Sequence, residues 1–364
     1  MFRIGLFFYV IQFANAVDLF NIEHGAQLLI HFSISAPSHA YATHEERVCQ
    51  VFQQGITAMV IPVEEENEEL TLTKSMCHYF QIPCITLKSS SNKGSVRDFI
   101  TSVAPPRGSA AVATSNFIDS LRWTGFLLAY QHDSDLEDLA PLMYYKRQHG
   151  ESGKRVHIKV RRLPNTTDDY EPFLKFVRSR LKLTNIIIHS SNITVLYNLL
   201  QQARGLNMTE PPFSYVFTNT DLTLLEDFLN NIYGHFHCNI TGLQLIKNDP
   251  MMKTQLALTS EAVYVIGNAI YQMRELGQAP RPAPILCDAH ETWADGRLLH
   301  NSIRKLTMRD QLTGNIKFDS NGDRDEVMFH GIGRINSQFV KVRFQVSSFM
   351  MLNLQNLKYY VVVI

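Results

Sequence analysis

The chain has 364 residues, 45% of them hydrophobic, which is enough apolar material for two packed units rather than one. Its 34 basic and 34 acidic side chains cancel, so no net field recommends nucleic acid or an anionic membrane surface as a partner. Five cysteines are too few for a disulfide scaffold, and without C-x-x-C or H-E-x-x-H spacing they offer no zinc site, so neither metal nor cofactor is expected.

Arg3, the apolar run Ile4 to Ile11 and the triplet Ala14-Asn15-Ala16 fit a signal peptide cleaved before Val17. Through residue 121, strands near Ile4, Leu28–Ile34, Thr57–Ile61 and Cys84–Leu87 alternate with helices and form one α/β lobe. The acidic run Glu64–Glu69 suits a solvated loop and a helix N-terminus ahead of Leu70. From Gly125 the alternation sharpens. GFLLAY is a strand apolar enough to be covered on both faces, and Leu136–Gln148 has helical spacing at Leu136, Leu139, Ala140 and Met143. Val156, Ile158 and Val160 alternate as a strand, and Asp168 and Asp169 precede a helix with Pro172 in its first turn. NIIIH (Asn185–His189) is a buried strand. Ser190 or Ser191 caps the next helix, whose inner face is Val195, Leu196, Leu199, Leu200 and Ala203, with Gly205 at its C-terminal turn.

Between Pro211 and Asp249, a strand (Tyr215–Thr218), a polar turn and an acidic helical segment lead into a second strand ending at Leu245. His235, His237 and Cys238 lie together on a loop without a fourth ligand, so a solvated loop is expected there. Ser260 caps a helix through Ile270, and a second helix covers Gly296–Leu306. GNIKFDSNGDRDEVMFHGIGRI then reads as strand, Asn321-Gly322 turn, strand. Asp319, Asn321, Asp323 and Asp325 alternate like calcium-loop ligands, but Arg324 occupies the glycine position and His330 that of the bidentate glutamate, which favours a plain turn. No stretch reaches the roughly 18 apolar residues that cross a bilayer. No strand is followed by G-x-S-x-G, a Walker loop or a dinucleotide fingerprint, so an enzyme is not expected. Four N-x-S/T sequons, at Asn165, Asn192, Asn207 and Asn239, are glycan acceptors in a secretory protein.

Five segments carry a family likeness: VCQVFQQGITAMVIP, SMCHYFQIPCITL, the IKVRRLP run ending at Pro164, the whole Pro211–Asp249 crossover, and LTGNIKFDSNGD. Together they resemble the extracellular amino-terminal domain of ionotropic glutamate receptors of kainate type, over about residues 2–343 with gaps. Under that likeness RIGLFFYV becomes the first strand and FANAVDLFN the following helix. This reading accounts for both sides of the supposed cleavage point and is favoured over the signal peptide. The resemblance implies an α/β fold of two Rossmann-like lobes in a type-I periplasmic-binding-protein clamshell. Lobe 1 would be residues 1–121 and 254–322, lobe 2 would be 122–253 and 323–343, and 344–364 would form an unmatched tail. It implies a Cys49–Cys287 disulfide, ahead of Trp293 and Gly296, leaving Cys77, Cys84 and Cys238 free, the first two as core packing. It also implies a role in subunit assembly and modulation on the extracellular side of the plasma membrane. Homo- or heterodimers with other glutamate receptor subunits would form through lobe 1, on helices within 43–54 and 70–80, with extracellular synaptic proteins as further partners and glycans on lobe 2 alone. No channel or agonist-binding domain is expected in this chain. The sequence departs from the family at the loop after the first strand, at a helix between Asp249 and Thr259 that looks deleted, and beyond Val342. A soluble clamshell binding a small amino acid and an inert fragment of a mispredicted gene stay open as alternatives.

Overall fold

The computed structural model describes residues 43–61, 68–89, 98–121, 123–145, 156–164, 168–231, 236–246, 249, 251–289, 291–325, 327–335, 338–341 and 360–361. The strands expected near Ile4 and Leu28–Ile34, both N-terminal readings, Glu64–Asn67 and Asn165 lie outside these residues. The chain divides into two compact units, Met1–Pro106 with Gln255–Glu326 and Arg107–Thr254 with Val327–Ile364.

In the first unit, β1 (Met59–Ile61), β2 (Cys84–Thr86) and β3 (Ile100–Ser102) form a parallel sheet, and β9 (Thr307–Gln311) pairs antiparallel with β10 (Gly314–Lys317). Helix α1 (His44–Phe52) starts at a capping box. The Glu46 amide donates to Thr43 Oγ1 at 3.2 Å, while the Thr43 amide donates to Glu46 Oε2 at 2.8 Å. Glu68 and Glu69 open α2 (Glu68–Phe80), where negative charge suits the exposed amides. One continuous core joins Val48 and Phe52 of α1 and Cys77 and Phe80 of α2 to Trp293 and to Leu299 and Ile303 of α9 (Gly296–Lys305). Gly296 is required by close approach, because a Cβ there would overlap the carbonyl of Gln81.

The helix expected to begin at Ser260 begins earlier, as α8 (Thr254–Glu275). Its start is fixed from a distance. The Thr254 amide and hydroxyl both donate to Asp221 Oδ1, at 2.8 and 2.7 Å. Midway along α8, Glu261 is buried and accepts from the Thr313 amide and hydroxyl, both at 2.6 Å. Thr313 Oγ1 also accepts from Arg324, 2.6 Å away, whose buried guanidinium donates further to the carbonyls of Val103, Thr313 and Asn315. Every direction of the fork finds an acceptor, which is what allows a buried arginine.

The second unit is built on one large sheet in the order β12 (Gln338–Lys341), β11 (Met328–Ile335), β8 (Asn239–Gln244), β7 (Ser214–Phe217), β6 (Asn185–His189), β4 (Gly125–Tyr130), β5 (His157–Arg162), with β13 (Tyr360–Val361) beside β11. The strands from β5 to β8 run parallel and β11 enters antiparallel to β8. Helix α3 (Ser109–Leu121) and the short α4 (Ala140–Met143) bury Phe117, Ile118, Leu139 and Leu142 against Phe126, Leu128 and Ile187. On the other face, α5 (Glu171–Phe176), its π-helical continuation Val177–Leu181, α6 (Ile193–Gly205) and α7 (Glu226–Asn231) bury Leu174, Val177, Leu196, Leu200 and Leu229 in one cluster with Leu127, Ile186 and Ile188.

Several expectations are corrected here. The division at 121 gives way to one at 106, since α3 packs with Phe126 and Leu128. The helix from Leu136 shrinks to α4, because Pro141 has no N–H to give and crowds the preceding turn. Asn192 rather than either serine caps α6, accepting from the Thr194 amide at 2.9 Å, and Asn207 rather than Gly205 takes the left-handed position with φ 53°. The Asn321-Gly322 turn is present with φ 85° at Gly322, but β10 and β11 do not pair across it: β10 belongs to β9, and β11 leaves for the other sheet. Cys77 and Cys84, expected free, are bonded to each other, because the turn between α2 and β2 brings their Cα atoms to 6.4 Å, inside the span a disulfide bridges.

Candidate functional site

The resemblance pointed to a helical face around Cys49, and the structure adds a set of polar strand ends; each forms within one unit. On the first unit α1 and α2 are clasped by polar contacts. His44 Nε2 lies 2.7 Å from Thr73 Oγ1, and Glu69 lies 3.8 Å from His44 Nδ1 and 3.6 Å from Arg47. The Arg47–Glu69 ion pair is largely exposed and contributes little by itself. Covalent fixation is stronger: Cys49 of α1 is bonded to Cys287 with Cα atoms 6.0 Å apart, and Cys77 ties α2 to β2. Seven residues apart on α2, and therefore on one helical face, Leu72 and Tyr79 are 38% and 50% exposed. Tyr79 is held edge-on against buried Phe80, with ring centroids 4.9 Å apart, and Phe80 meets Phe52 of α1 at 5.6 Å. The outcome is an outer face that exposes two largely apolar side chains, with Tyr79 backed by the core.

Below α2 lies His300, buried with both ring nitrogens lacking a hydrogen-bond partner. Its ring is 5.0 Å from that of Phe99, over which Arg297 stacks at 4.7 Å. Burial, with Arg304 and Arg297 adding repulsion against the pull of Asp98, pushes the imidazole down to about 4.

In the second unit the carboxyl ends of β4, β6 and β7 gather Gln131, His189, Ser190, Thr218 and Asn219, the place where open parallel sheets carry ligands. These groups satisfy one another. Ser190 Oγ donates to Gln131 Oε1 at 2.6 Å, Asn219 Nδ2 donates to the carbonyls of Ser190 and Ser191, and His189 Nδ1 is 2.7 Å from Thr218 Oγ1. Asp135, His189 and Thr218 line up as carboxylate, imidazole and hydroxyl. Yet the carboxylate stands 3.8 Å from the ring and Thr218 is buried, so no nucleophile is presented.

The sequons divide between described and undescribed residues. Asn192, Asn207 and Asn239 are exposed, on the N-cap of α6, just after its end, and at the first residue of β8. Cys238 is buried beside Tyr215, and burial pushes its thiol up to about 12, so it stays protonated and unsuited to ligating a cation. Asp319 spends its carboxylate on the amides of Asn321 and Asp323, at 2.7 and 3.0 Å, which is turn chemistry. No group of three His, Cys, Asp or Glu able to hold a metal occurs among the described residues, and no helix among them is long and apolar enough to cross a membrane. Sequence reasoning missed the Cys77–Cys84 pairing. The signal was a seven-residue separation across one helix-to-strand turn.

The family described as receptor family ligand binding region matches residues 16–335. Among curated proteins the chain is similar to the glutamate receptor ionotropic, kainate 1, of Homo sapiens and of Macaca fascicularis. To each it is 23% identical over 310 residues, covering 77% of this chain and 32% of the relative. The chain thus spans about a third of the length of these relatives. With two α/β units and a match running through both, the chain belongs to the receptor family ligand binding region, whose fold is of the periplasmic-binding-protein kind.

Proposed function

We propose that this chain is a non-enzymatic, extracellular receptor domain that pairs with kainate-type glutamate receptor subunits through the α1–α2 face of its first unit. The observation that carries the reading is the pair Leu72 and Tyr79, largely apolar and exposed on a helix fixed by a disulfide. A short apolar patch presented without loss of backbone freedom is what a subunit contact needs. The Cys49–Cys287 bond serves the same face by holding α1 against the segment ahead of α9. Glycans on Asn165, Asn192, Asn207 and Asn239 would all sit on the second unit and leave the pairing face bare. A sensor of small amino acids is less well supported, since the polar strand ends of the second unit already bond one another.

The test uses the whole chain, secreted from mammalian cells, with sedimentation analysis and co-precipitation against a full-length kainate 1 subunit. Leu72→Glu with Tyr79→Glu is expected to abolish pairing while leaving the melting temperature within about 2 °C, because both residues are exposed in the monomer. A wild-type chain that stays monomeric and captures no subunit would defeat the proposal.

A further inference from the structure

Strand β5 closes the second unit's sheet on one side, with β4 as its neighbour and no strand beyond it among the described residues. Its sequence, HIKVRR, places Ile158 and Val160 toward the Phe126–Leu128 core, so His157, Lys159 and Arg161 share the opposite face. Successive members of that set stand about 6.6 Å apart along the strand. None of the three has a carboxylate partner among the described residues, whereas Arg162, facing the other way, is held by Asp133 at 2.6 Å. By sequence, residues 146–162 hold seven Lys or Arg against one Glu, in a chain whose charges otherwise balance.

The edge itself is partly engaged already. The amides of His157 and Leu163 both donate to β4, so strand alternation turns the main chain of Ile158, Val160 and Arg162 outward. Arg161 folds its guanidinium back onto the outward carbonyl of Val160 at 2.8 Å. A peptide adding as an extra strand would find that acceptor taken. What the face offers a partner is charge, the half-buried Lys159 and the exposed Arg161, with the exposed His157 in line beside them. We propose that the His157–Lys159–Arg161 face of β5 binds an extended sulfated polysaccharide, a polymer that offers repeated anions and makes no demand on main-chain hydrogen bonds. The proposal depends on the extracellular placement argued above for its physiological setting, and its test is independent of subunit pairing.

The probe is a heparin-derived oligosaccharide immobilised on a sensor surface, with the full-length secreted chain in solution at several NaCl concentrations. Binding is expected at low salt and should weaken as salt rises. Lys159→Gln with Arg161→Gln, the second keeping a donor for the Val160 carbonyl, should bind roughly fivefold more weakly for each charge removed, the scale of a single Lys or Arg contact with an anionic surface. Lys253→Gln with Lys305→Gln, both exposed and neither on β5, should leave binding unchanged. Absence of binding, an equal loss in the control pair, undiminished binding to the desulfated oligosaccharide, or tighter binding to a polyglutamate peptide would each overturn the proposal.

Discussion

Glu261 and Arg324 are a severe test of how the first unit is held together, because their side chains are 2% and 0% exposed and their nearest charged atoms are 3.6 Å apart. Thr313 bridges them, donating to the carboxylate and accepting from the guanidinium. Burial pushes the Glu261 carboxyl up, and Arg324 and Thr313 oppose that rise, so each ionised partner depends on the other. Replacing Glu261 by Leu leaves a buried guanidinium without its countercharge and two Thr313 donors without an acceptor, an expected loss of about 3–5 kcal/mol. For a unit of this size that corresponds to a fall of about 10 °C in melting temperature. Arg324→Met should cost a similar amount. The double variant, with neither charge left uncompensated, should recover most of the loss. Fluorescence separates the units, since Trp293 is buried in the first and Trp123 in the second. In a Trp123→Phe background, Trp293 reports the first unit during urea unfolding. A double variant as unstable as the sum of the two singles would refute the coupling.

Three further outcomes follow from the same geometry. His300 has its folded-state value lowered to about 4 from an ordinary 6.5, so the unfolded chain binds its proton first; stability is full above about pH 6.5 and is lost progressively toward pH 4, by about 3 kcal/mol at most, and His300→Phe should flatten that pH window in denaturant titrations. Gly296→Ala drives a methyl into the Gln81 carbonyl and should destabilise the first unit by roughly 2–3 kcal/mol, read at Trp293; a change below about 0.5 kcal/mol would contradict the contact. Cys77→Ala with Cys84→Ala opens only a short loop and should cost about 2–3 kcal/mol, against about 5 for Cys49→Ala with Cys287→Ala, whose partners are 238 residues apart; equal losses would argue against the chain-entropy account.

Strong periodicity made much of the second unit legible. GFLLAY and NIIIH appear as β4 and β6 because residues covered on both faces must be apolar throughout. Failures came where a distant residue decides a local outcome. Nothing near Thr254 announces a helix start, since its cap is the carboxylate of Asp221. Strand β3 hides in the three residues Ile100–Ser102, too short for alternation to show. GNIKFD and MFHGIGRI look like two arms of one hairpin, and only packing reveals that each pairs with a different sheet. Likeness pointed to helices α1 and α2 for the proposed pairing face, but Leu72 and Tyr79 within SMCHYF and its preceding turn are indistinguishable by sequence from core positions such as Met76 and Phe80.

The late entry of β11 beside β8 also sets a timetable for biosynthesis. His330 pairs with Gln244, so the outer side of β8 stays open until the ribosome has added 330 − 244, or 86, further residues. At roughly 5–20 residues per second that interval is on the order of ten seconds, long on the scale of strand aggregation. During it the nascent second unit exposes a ready template, and the intervening residues are occupied in completing the first unit. Neither unit therefore matures in simple order of translation, and a translating chain of this protein needs chaperone protection over that window more than before or after it.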